Sequence, residues 1–185
     1  GKSAKFHIWE TPIMEPALAK QFPNIKTFTG QGIDDKTATI KIDWNDFGFH
    51  AMILSPVTGS IFIDPYDAVT KTNYISYYAK DYKKNTVFKE YRPLPSKKQL
   101  TKGARIEGVQ AISCIGTQLR TYRLAVACTH EYAIAATGLA SPTKAQTLSK
   151  ITTTVNRVNG VYEKEVAIRM TLVANENNII FVTAG

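Results

Sequence analysis

One apolar stripe at helical spacing, bracketed by two apolar strand-like runs, constrains this chain more than any other feature. Leu148, Ile151, Val155, Val158 and Tyr162 recur at three- and four-residue steps, the spacing of a helix that buries one face. Ser141-Pro142 is a start signal, a capping Ser with Pro at the first helical position. Ahead of it Tyr122, Leu124, Val126 and Cys128 alternate with Arg123, Ala125 and Ala127. That run is mostly apolar on both faces, as buried parallel strands are. Behind it Val166, Ile168, Met170 and Leu172 alternate, Asn175-Glu176-Asn177-Asn178 reads as a turn, and Ile179 to Val182 begins another strand. Strand, helix and strand at this spacing predict a right-handed parallel crossover. Such a unit leaves sheet edges and faces uncovered, and the expectation is that the rest of a domain follows Gly185.

Upstream the grammar is different. Ala38, Ile40, Ile42 and Trp44 share one face of a strand, with Thr39, Lys41 and Asp43 opposite, which predicts a strand with one wet face. Asn45-Asp46-Phe47-Gly48 and Pro56-Val57-Thr58-Gly59 are turn signals, and Asp64-Pro65 is a break. Phe49–Leu54, Ile61–Ile63, Tyr74–Tyr78 and Thr86–Tyr91 supply further short strands, so the region reads as an antiparallel meander. Met14 to Gln21 reads as a short helix with Pro16 in its first turn. The stretch Arg92 to Gly103, rich in Pro, Lys and Ser, reads as a linker, and Arg105–Ile115 as one more strand. The fold class is therefore α+β. Residues 1–118 form an antiparallel β-rich part with a linker near 93–104. Residues 119–185 form a first strand, helix and second strand of an incomplete α/β domain.

Composition excludes several classes. With 44% hydrophobic and 21% charged residues over 185 positions, a buried core is expected. No apolar run approaches the roughly 20 residues that span a bilayer, and no signal core is present. The formal charge of +8 permits an acidic partner. Yet Lys80, Lys83, Lys84, Lys89, Lys97, Lys98 and Lys102 are spread, without an Arg-rich helix or zinc-finger spacing, which reads as a solvated face and not a nucleic-acid site.

No catalytic set emerges. His130-Glu131 imitates the start of H-E-x-x-H, but Ile134 stands where the second His is required, and the pair reads as a surface loop. His7 and His50 are isolated in strand-like segments. Asp34-Asp35 after Gly30-Gln31-Gly32, and Asp43 with Asp46, lack the regular oxygen spacing of a calcium loop. Neither a G-x-S-x-G elbow nor a phosphate loop occurs. Cys114 and Cys128 are too few for a disulfide scaffold or a Cys-based zinc site. They stand as free thiols, as a disulfide, or, for Cys114 beside the compositional junction, as a thiolate that blocks a catalytic zinc.

The run Tyr122–Cys128, followed by Ile151-Thr152-Thr153-Thr154-Val155-Asn156-Arg157-Val158-Asn159-Gly160-Val161-Tyr162 and then Val166–Leu172, resembles the reprolysin-like (adamalysin, metzincin) zinc metalloproteases. Gly30–Asp35, Phe49–Leu54 and Ile63–Tyr66 resemble the prosegment of bacterial secreted proteases of that kind. The resemblance implies a secreted zymogen in which residues 1–118 act in latency and folding and Lys97, Lys98 and Lys102 mark the processing region. The partner of the chain is then the remainder of the catalytic domain. It also implies zinc in the full-length protein, held by H-E-x-x-H-x-x-G-x-x-H, which lies downstream of this helix. No catalytic residue and no metal ligand therefore carries over to this chain. Arg123 stands near the position of a calcium-binding Glu in some members, so calcium is not implied there. The competing reading from the residues alone is a non-enzymatic, β-rich extracellular binding module with a small α/β extension.

Overall fold

The computed structural model describes residues 3–67, 71–83 and 118–184. Six strands, β1 (Phe6–Glu10), β2 (Lys26–Gly32), β3 (Thr39–Asn45), β4 (Gly48–Ser55), β5 (Gly59–Pro65) and β6 (Tyr74–Tyr78), form one sheet in chain order. Every neighbouring pair is antiparallel, which is the expected meander. The expected break at Asp64-Pro65 only ends β5, which runs through both residues. Gly59 takes a φ of 81° in the turn before β5, a conformation a side chain would strain. β1 carries His7, whose segment is expected to be strand-like, whereas β2 is not expected from the sequence. A short helix α1 (Pro16–Gln21) connects them, with Pro at its first position as expected.

The C-terminal part contains β7 (Arg120–Leu124), α2 (His130–Thr137), α3 (Lys144–Glu165) and β8 (Ile168–Leu172). β7 and β8 pair in parallel across the helical connection, as the strand–helix–strand spacing predicts. Three details differ. α3 starts two residues late: Thr143, not Ser141, caps it, in a reciprocal capping box with Gln146. β7 is exposed along most of its length and is not a buried parallel strand. His130-Glu131 opens a helix, capped by Thr129, and is not in a loop.

Two apolar clusters organise the molecule. The larger joins Ile13, Met14, Leu18 and Ile25 to Leu148, Ile151, Val155, Leu172 and Ile180. The apolar stripe of α3 is thus satisfied largely by α1 and its flanks. The segment beside α1 also extends the small sheet. Leu172 N–H donates to Ile13 O (2.8 Å), Glu15 N–H donates to Leu172 O (2.9 Å), and Met14 bridges Leu172 in parallel. Arg123 clasps the Glu15 carboxylate from β7, holding it below its usual pKa range. The smaller cluster, Ile40, Ile42 and Ala51 with Phe28, Phe49, Ile53 and Ile63, lies on the large sheet.

Both faces of β3 are covered: Ile40 and Ile42 are buried as expected, and the polar face expected to be wet is buried too. Lys41, Asp43 and Asn45 are buried, while Trp44 is 55% exposed. Their register partners Met52, His50 and Thr29 lie on the same face, and α3 packs across it. The polar face of an antiparallel sheet is commonly solvated. Here the covering helix brings its own hydrogen-bonding groups.

Candidate functional site

The candidate site is the polar interface between α3 and the large sheet, with its continuation to β8. Its anchor is the Asn156-Arg157-Val158-Asn159-Gly160 block, the same block that carries the family resemblance. Asn156 is 1% exposed, and its Nδ2 donates to Ile42 O on β3 (2.9 Å). Asn159, fully buried, faces the other sheet: its Nδ2 donates to Met170 O (2.8 Å) and its Oδ1 accepts from Met170 N–H (2.8 Å). A single carboxamide therefore pairs with β8 as a neighbouring strand would. Gly160 lets the helix approach the large sheet. A Cβ there would sit 2.5 Å from Met52 Cε and 3.0 Å from Lys41 Cγ.

Three charged constellations surround this anchor. Lys41, 4% exposed, gives its ammonium to Glu163 (2.7 Å) and to the Thr29 hydroxyl (2.9 Å), and Glu163 also receives Arg169 (2.6 Å). Burial pushes the Lys41 pKa down against the opposing pull of Glu163. For Glu163 burial acts upward, but the bonds from Arg169 and Lys41 outweigh it and keep the carboxyl below its ordinary range. The ionised triad is the state these opposing causes favour. Farther along the sheet Asp43, 1% exposed, accepts from Thr153 (2.6 Å) and Asn45 (2.7 Å). His50 Nδ1 stands 3.3 Å from the same oxygen without making a hydrogen bond to it. At the far end Arg157 pairs with Asp64 (2.5 Å) and lies over the Phe62 ring. Asp64 also receives the Tyr77 hydroxyl (2.9 Å), and burial, then Asp64, pushes that phenol up to about 12.

A cavity of about 430 Å³ opens beside the second and third constellations, lined among others by Phe47, His50, Tyr132, Lys150, Thr154 and Arg157. Lys150 lies over the Phe47 ring, 3.8 Å from its centroid. Burial lowers the pKa of this ammonium, while Asp64 and Asp43 act on it only through space, in the opposite direction.

The residues singled out from sequence are dispersed. Cys128 is buried and free of any disulfide among the described residues, and burial pushes its thiol up. Cys114, Lys97, Lys98, Lys102, the 93–104 linker, Arg105–Ile115 and Thr86–Tyr91 lie outside the described residues. His130 Nδ1 is 2.7 Å from Val182 O, a contact that ties α2 to the C-terminal segment. His7 and His50 lie on β1 and β4, separated by two strands. Asp35 is a turn residue, as expected: it bonds Ser55 (2.6 Å) and Thr37, and these bonds lower its pKa to about 2. The sequence reading missed the roles of Lys41, Asp43 and Asn45. The signal was their shared parity on β3, matched by the polar positions Thr153, Asn156 and Glu163 on α3.

Among the described residues no group of three or more His, Cys, Asp or Glu side chains could hold a metal ion. The described side chains do not fit a catalytic zinc, and no hydrolytic step is assigned to them. Among the same residues no helix is long and apolar enough to cross a membrane.

Residues 118–184 match the model of the metallo-peptidase family M12B, reprolysin-like. This region is similar to that family. The match spans β7 through the C-terminal turn and includes the Asn156–Gly160 anchor, while residues 1–117 fall outside it. No curated protein and no solved structure matches the chain.

Proposed function

We propose that the chain is the N-terminal portion of a secreted zinc metallopeptidase precursor. In this reading residues 1–118 are a prosegment that assists folding and maintains latency, and residues 119–185 are the first elements of the catalytic domain. Peptide-bond hydrolysis would belong to zinc-binding residues outside this sequence, so the chain itself would be inactive. Support comes from the reprolysin-like region and, above all, from the shared core. Ile13, Met14, Leu18 and Ile25 complete the apolar packing of α3 and β8, and residues 13–15 extend the small sheet. A segment that supplies core residues to another unit is suited to helping it fold. Lys97, Lys98 and Lys102 are proposed as the processing region, and Cys114 as the candidate latency thiol.

The test uses the full-length precursor and a version lacking residues 1–118. The truncated form should be recovered largely misfolded, and residues 1–118 supplied in trans should restore soluble protein. Peptidase activity of the precursor should rise when the Lys97–Lys102 region is cleaved. Equal soluble yield without residues 1–118, or metal-dependent peptidase activity of the 185-residue chain alone, would refute the proposal.

A further inference from the structure

The cavity between α3, α2 and the ends of β4 and β5 is lined by side chains that carry buried nitrogens without a hydrogen-bond partner among the described residues. Two of the four buried polar atoms without a hydrogen-bond partner among the described residues, His50 Nδ1 and Arg157 Nε, belong to residues lining it. Lys150 contributes an ammonium that lies over the Phe47 ring. It makes no ion pair within 4 Å among the described residues, although burial disfavours its charge. The two nearest carboxylates already receive other donors. Asp64 receives Arg157 on one oxygen and Tyr77 on the other, and Asp43 receives Thr153 and Asn45 on one oxygen. Lys150 and Arg157 stand two helical turns apart on one face of α3, with Thr153 and Thr154 between them. Asp67 also lines the cavity.

Unpaired N–H donors in a partly dry cavity are costly, and an oxyanion satisfies several of them together. We propose that this cavity binds a small oxyanion-bearing ligand, a carboxylate or a phosphate, between Lys150 and the Nε–H of Arg157. The volume lies within the range of small-molecule sites. Phe47, His50 and Asp64 come from the large sheet, whereas Lys150, Thr154 and Arg157 come from α3. The ligand would therefore bind only where the sheet and helix are docked and would stabilise that docked form. This inference is independent of the protease reading.

The test is a titration of the 185-residue chain with propionate, inorganic phosphate and the neutral analogue propionamide at constant ionic strength. It is followed by thermal unfolding and by the Arg157 Nε–H resonance. A saturable rise in melting temperature with a shift of that resonance is expected from propionate, phosphate or both, and none from propionamide. Binding of only one anion would identify the source of the oxyanion. Lys150→Met, which keeps the alkyl packing on Phe47, should weaken binding by about 10- to 100-fold, as loss of a charge-assisted bond does. Lys150→Arg should retain it. Absence of a saturable response to either anion would overturn the proposal, as would equal affinity in Lys150→Met. If Lys150→Met does not fold, an Arg157 Nε–H resonance unmoved by saturating anion in the wild-type chain would do the same.

Discussion

Asn159 offers the sharpest test of how α3 holds the small sheet. β8 bonds β7 on one edge through its odd-numbered residues. On the other edge Leu172 bonds Ile13 and Glu15, and Met170 bonds the Asn159 carboxamide. Asn159→Leu keeps a similar volume but leaves the Met170 N–H and C=O without partners in a site from which water is excluded. Each orphaned group costs about 1–3 kcal/mol, so the loss should be about 2–5 kcal/mol, a large part of the 5–15 kcal/mol typical of a domain. In urea unfolding the midpoint should fall by about 1–2 M with an unchanged slope. Asn159→Asp keeps the acceptor for Met170 N–H and loses only the donor. It should therefore be less damaging in acid, where its carboxyl is neutral, than at neutral pH. Amide exchange gives a local check: Met170 should lose protection in Asn159→Leu while Leu172, bonded to Ile13, keeps more of its own. A midpoint shift below about 0.3 M, or unchanged Met170 exchange, would refute the view of Asn159 as a surrogate strand.

Two further outcomes follow from the charged groups. Glu163→Gln leaves Lys41, 4% exposed, as a buried ammonium with neutral acceptors only, the Thr29 hydroxyl and the introduced amide oxygen, and should cost about 3–5 kcal/mol. The double variant Lys41→Met/Glu163→Gln should recover much of that loss in a double-mutant cycle of urea midpoints, and a double variant as unstable as Glu163→Gln alone would contradict the pairing. Asp35 has its pKa lowered to about 2 by Ser55 and Thr37. The folded form thus binds this proton less readily than the unfolded chain, whose carboxyl titrates near 3.9. Its contribution is full above the unfolded pKa and fades as pH falls through about 2. Asp35→Asn should therefore be less stable than wild type at neutral pH, and the gap should close in acid. A gap that persists unchanged to pH of about 2 would exclude this origin.

The meander and the strand–helix–strand unit were legible because each has a plain hydrophobic period. Alternation located β3 through β6, and the stripe from Leu148 to Tyr162 located α3. The functional face was not legible for the same reason. Alternation separates two faces without saying which one is covered, and Lys41-x-Asp43-x-Asn45 looks like a solvated row until a helix carrying Asn156 and Glu163 is placed upon it. β7 shows the converse. Its composition suits a buried strand, yet with β8 on one side alone most of it stays exposed. β2 escaped notice because Gly30 and Gly32 weaken its strand pattern. Gly30 in fact sits where Ile8 and Ile40 crowd the backbone to within 2.7 Å of a would-be Cβ.

The bridge between Met14 and Leu172 sets a schedule for folding. Loop closure across so much of the chain is slow, and long-range pairings of this kind form late. During synthesis Ile13, Met14 and Leu18 emerge first and must wait on the order of 10 s for α3 and β8 to follow. Throughout that interval the nascent chain carries an unpaired extended segment and uncovered apolar side chains, which makes it a substrate for chaperones before it has any native function of its own.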